Sequence, residues 1–75
     1  MNQPKRDIPR SELESAIDEW IVGRNAERNR KILKRRMIDG ICFEPLAEEF
    51  DMSDRQIKRI VYEYGDVVMN HILSS

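Results

Sequence analysis

Cysteine and histidine are almost missing from this chain, which has one of each, Cys42 and His71, in 75 residues. A lone cysteine makes no internal disulfide, and one residue of each kind supplies no Cys/His zinc cluster. The expected setting is therefore reducing and cytoplasmic. No apolar run approaches the roughly 20 residues of a helical membrane span. The opening stretch, MNQPKRDIPR, lacks the apolar core of a secretory leader. No membrane association is expected. An excess of one charge is missing as well: 13 basic and 14 acidic residues leave a net charge of −1, so any anion-binding face must be local. The sequence shows no glycine-rich phosphate loop, no paired carboxylates and no nucleophile beside a base. Catalytic residues, metal ligands and cofactors are thus not expected. Cys42 reads as a half-buried residue at a helix start, without a partner to make it reactive.

What is present suffices for one small core. Hydrophobic residues make up 40% and charged residues 36%, the balance of a compact, highly charged globule. A chain this short buries only about 60% of the surface it exposes unfolded, so a single domain spanning 11–75 is expected, preceded by a flexible arm over 1–10. In SELESAIDEWIV, Leu13, Ile17, Trp20 and Ile21 form an amphipathic stripe over 11–22, and Ser11 with Glu14 has the spacing of a capping box. Gly23 ends that helix, and Asn25 is placed to cap the next. The second helix, 26–39, carries Ile32, Leu33 and Met37 inward and ends at Gly40. Phe43, Leu46, Ala47 and Phe50 mark a short third helix over 43–50, with Pro45 tolerated in its first turn. Ser53 and Gln56 form another capping box, and Ile57, Ile60, Val61, Tyr64, Val67, Val68 and Ile72 continue a helical period over 53–73. Gly65 marks a place where this last helix can break. The class is all-α.

Two features bear on function. Between Arg24 and Arg36 stand Arg24, Arg28, Arg30, Lys31, Lys34, Arg35 and Arg36 against the single acid Glu27. Furthermore, only Asp51, Met52 and Ser53 separate the third and fourth helices, which forces a sharp angle. That angle asks for a small residue where the backbones approach (Ala47), a residue tolerant of left-handed backbone at the exit (Asp51), and apolar inner positions (Leu46, Met52, Ile57, Ile60). This is the pattern of a helix-turn-helix, here a tri-helical bundle with an additional N-terminal helix.

The run from Arg28 to His71, RNRKILKRRMIDGICFEPLAEEFDMSDRQIKRIVYEYGDVVMNH, resembles the fourth conserved region of bacterial sigma factors and its small bacterial and phage relatives. The likeness lies in the Arg/Leu-rich helix, the glycine-containing turn, the bihelical segment LAEEFDMSDRQIKRI and the extended last helix. Asp51 departs from it by standing where the family commonly has glycine, and no other sigma region fits in the chain. The resemblance implies a sequence-specific regulator of transcription binding double-stranded DNA, with residues 53–64 in the major groove. Arg55, Gln56 and Arg59 are then the base readers. Arginine pairs with guanine and glutamine with adenine, each bidentate pair discriminating by roughly 1–3 kcal/mol. Ser53, Lys58 and Tyr62, together with Arg28, Lys31 and Arg35 of the second helix, contact phosphates.

Plainer readings stand beside these. Gln56 serves the Ser53 cap, Asp54 suits a first helical turn, and the basic run neutralises Glu12, Asp18, Glu19, Glu48 or Glu49. Trp20 belongs in the core, and His71 complements a helix C-terminus. Two further partners remain open. One is RNA polymerase or a phage protein, docked on the acids of the first and third helices (Glu12, Glu14, Asp18, Glu19, Glu44, Glu48, Glu49) without any reading of DNA. The other is a second copy of the chain, paired through the first helix or the tail after Gly65.

Overall fold

Every stretch with apolar residues at helical spacing becomes a helix. The computed structural model describes residues 8–74, and these hold four helices and no strand: α1 (Arg10–Trp20), α2 (Ala26–Met37), α3 (Phe43–Phe50) and α4 (Asp54–Ser74). Each helix sends its stripe into one core. Ile17, Ile21, Ile32, Leu33, Leu46, Ile57 and Val68 are fully buried, with Ala16, Ala47, Ile60, Val61 and Ile72 beside them. α4 is the spine, packing on α1, α2 and α3, while α2 also touches α1 and α3. At about 25 cal/mol per Å² of apolar surface, each large side chain withdrawn in this way contributes roughly 1.5–3 kcal/mol.

The α3–α4 junction follows from its residues. Ala47 is 7% exposed at the close approach. Asp51 takes a left-handed conformation (φ 56°), so the Met52 N–H reaches the Ala47 carbonyl at 2.9 Å and the Asp51 N–H reaches Glu48 at 3.3 Å. These two bonds terminate a helix in the manner usually given to glycine. Three residues later the chain re-enters a helix through the Ser53–Gln56 box. The Gln56 N–H donates to Ser53 Oγ at 3.1 Å, and the Ser53 N–H donates to Gln56 Oε1 at 3.1 Å.

Several expectations are corrected. Ser11 and Glu14 form no capping box: α1 starts one residue earlier, Pro9 supplies the carbonyl for Glu12 and Leu13, and Glu14 accepts from Arg10 Nε at 3.3 Å. Asn25 offers no side-chain cap either, because it lies in the left-handed region (φ 64°). α2 ends at Met37 rather than Asp39, and Gly40 (φ 73°) turns the chain. Gly65 does not interrupt α4; an added Cβ there would face the Leu33 side chain at 3.9 Å. Trp20 is not core. Ile21, one residue on, takes the buried position, and Trp20 is left 41% exposed, stacked on His71 with ring centroids 3.7 Å apart. His71 is the basic residue of the last turn of α4, as expected, and besides that stack it makes a 2.8 Å contact with the Val67 carbonyl. Cys42 is exposed. Of the expected arm, residues 1–7 lie outside the described residues, whereas Ile8 packs on the core and Arg10 is helical.

Candidate functional site

The basic residues divide according to what already holds them. On α2, Lys34 pairs with Asp18 of α1 at 2.9 Å. Arg30 Nε donates to the Ile21 carbonyl at 2.8 Å, and Arg36 Nη1 donates to the Ile41 carbonyl at 3.0 Å while lying 4.4 Å above the Phe43 ring. Arg35 bridges to α3 through Glu49 at 3.1 Å and also pairs with Asp39 at 3.3 Å. The hydrogen bond and charge of Glu49, with a smaller share from Asp39, raise the Arg35 pKa further above neutral. While Glu49 and Asp39 are ionised, that contribution holds at pH below the arginine range and fades as pH rises past the raised value. The Arg35 guanidinium, expected at a phosphate, ties α2 to α3 in the unbound chain.

The start of α4 differs. Ser53, Arg55, Gln56, Lys58, Arg59 and Tyr62 are all exposed. Arg55, Lys58 and Arg59 form no ion pair with any described residue. Ile57, Ile60 and Val61, alternating with them, are buried, so the 3.6-residue period leaves 55, 58, 59 and 62 on one outward face. Gln56 is only half available, because its Oε1 already accepts from the Ser53 N–H.

The flanks of α4 are built from different residues. On one side a cleft of about 330 Å³ brings Arg28 of α2 together with Gln56 and Arg59, and Arg24, Asn29 and Glu63 also line it. Arg28 donates from Nε and Nη2 to Asn29 Oδ1 at 3.3 and 3.2 Å. On the other side Tyr62 meets Phe43 edge-to-face at 5.9 Å, and Lys58 lies 5.7 Å from that ring. Lys31 is exposed but shares a shallow depression with Arg35, Glu49 and Phe50, so it is separated from the cleft. Arg24 entered the sequence reading only as a member of the basic run, and Asn29 escaped it. The signal was there in Asn29, a polar residue on the inward stripe that continues to Ile32 and Leu33.

Among the described residues, no group of three or more His, Cys, Asp or Glu side chains is disposed to hold a metal ion, and no helix is long and apolar enough to cross a membrane. No family model, curated protein or solved structure matches the chain.

Proposed function

We propose that the chain is a sequence-specific DNA-binding regulator of transcription, with α3, the Asp51–Ser53 turn and the first half of α4 acting as a helix-turn-helix of the sigma region-four kind. The observation that carries this reading is the exposed trio Arg55, Lys58 and Arg59, ion-paired to no described residue on the first turns of α4. A helix in the roughly 12 Å wide major groove has a phosphate strand on either side. α4 has a donor for each: Arg28 on one flank, Lys58 with Tyr62 on the other.

In this reading Arg55 and Arg59 pair with guanine, and Gln56 meets adenine by sharing its cap oxygen. Ser53, Lys58, Tyr62, Arg28 and Lys31 contact phosphates, and Arg35 drops out because Glu49 and Asp39 engage it. The competing reading, docking on RNA polymerase through acidic helices, is weakened by what the acids already do. Glu14, Asp18 and Glu49 pair with Arg10, Lys34 and Arg35.

The decisive experiment is fluorescence anisotropy of the protein on a random-sequence duplex between about 50 and 200 mM salt, where log affinity should fall linearly with log salt by roughly 0.9 per phosphate engaged. Absence of binding at the lowest salt overturns the reading.

A further inference from the structure

Asn29 is the buried polar residue of the core region, 3% exposed. Burying an amide is unfavourable unless its hydrogen bonds are met, and its position on the stripe of Ile32 and Leu33 would suit leucine. What Asn29 does there is accept two N–H groups of Arg28, at 3.3 and 3.2 Å. A long, rotamer-rich side chain is thereby held against one wall of the cleft between the start of α2 and α4.

Arg24 and Arg59 line the same cleft, and Glu63 is the one acid on its walls. Three guanidinium groups against one carboxylate make it locally cationic in a chain of net charge −1. α2 also begins beside this cleft, with Asn25 left-handed and no side-chain cap; the Gly23 carbonyl accepts the Ala26 N–H at 3.2 Å, and Glu27 is the acid of the first turn. Guanidinium groups match phosphate through paired N–H donors. We propose that this cleft is a phosphate-binding site that receives one backbone phosphate of the DNA strand running beside α4, with Asn29 as the residue that positions Arg28. The proposal rests on the DNA reading and adds to it a strand position, Arg24 as a contact, and a role for Asn29.

The test uses the full chain and two probes, a random-sequence duplex titrated at several salt concentrations and inorganic pyrophosphate followed by the Arg28 Nε–H signal in NMR. Arg59 stays intact because it is also a base-reading candidate. The doubly substituted Arg24→Ala, Arg28→Ala protein should lose about 0.9 from the salt slope, one phosphate's share. Glu63→Gln should bind the duplex more tightly than wild type, since it removes the acid from the cleft. Asn29→Leu, with helix content unchanged by circular dichroism, should lose the response of Arg28 to pyrophosphate; a retained response overturns the positioning role. An unchanged slope in the double variant overturns the phosphate site while leaving the DNA reading intact. Failure of the wild type to bind the duplex, with pyrophosphate still shifting Arg28, overturns the DNA assignment and leaves a site for a free phosphorylated ligand. If neither probe acts, both readings fall.

Discussion

The cations of α2 and those of early α4 are the same residue types in two different situations. Along α2, Arg30, Lys34, Arg35 and Arg36 all end on a carbonyl or carboxylate of a neighbouring segment, so they fasten α2 to its surroundings. Along α4, Arg55, Lys58 and Arg59 point outward and pair with no acid among the described residues. The difference teaches that density of basic residues is a poor guide to which cations stay free of partners within the fold. Most of the densest run is engaged within the fold, and a sparser one is left exposed. Arg28 stands between the two groups, on α2 by sequence but in the α4 cleft by geometry.

The sharpest way to break this comparison is to remove cations from each group in turn. The Arg55→Ala, Arg59→Ala protein should keep its urea unfolding midpoint yet lose site preference, since each bidentate guanine contact discriminates by about 1–3 kcal/mol. A retained preference, measured by selection from a random duplex pool, would remove α4 as the reader. The converse change, Arg30→Met, should leave site preference alone and lower stability by roughly 2 kcal/mol, the scale of a partly buried hydrogen bond to a charged donor. Arg35→Gln should lower the urea midpoint by less, because that guanidinium is open to solvent and its pairs are screened. An Arg30→Met protein as stable as wild type would show that the α2 cations do not fasten the fold.

A finer test separates the two duties of Gln56. Glutamate fits the capping box as well as glutamine does, so Gln56→Glu should change stability by less than about 0.5 kcal/mol, with the first-turn charge favouring the helix. It brings a negative charge to the proposed groove face and removes the amide donor, so duplex affinity should fall. Affinity unchanged at low salt would show that residue 56 is only a cap.

Much of the fold was legible from spacing. The four helices, the left-handed exit at Asp51 and the Ser53–Gln56 box depend on interactions within a few residues, which a local pattern encodes, and apolar spacing marked Leu46, Ala47, Ile57 and Ile60 as the inward positions that packing then buries. Ser11–Glu14 shows the limit of that logic. Its spacing matches that of the working box at Ser53, but Pro9 provides the first carbonyl, α1 starts one residue early, and the carboxylate pairs with Arg10 instead. Trp20 shows another limit, because the stripe around Leu13 and Ile17 admits either Trp20 or Ile21 as its innermost member. Contact with the rest of the core selected Ile21.

By itself the sequence determined the all-helical class, the one-core size and the short α3–α4 connection, because apolar periodicity and turn chemistry act locally. Only the tertiary structure decided which cations remain unpaired. A guanidinium or ammonium group is satisfied by whichever carbonyl or carboxylate packing brings within about 3 Å, and for Arg30, Lys34 and Arg35 those partners lie 9, 16 and 14 residues away along the chain.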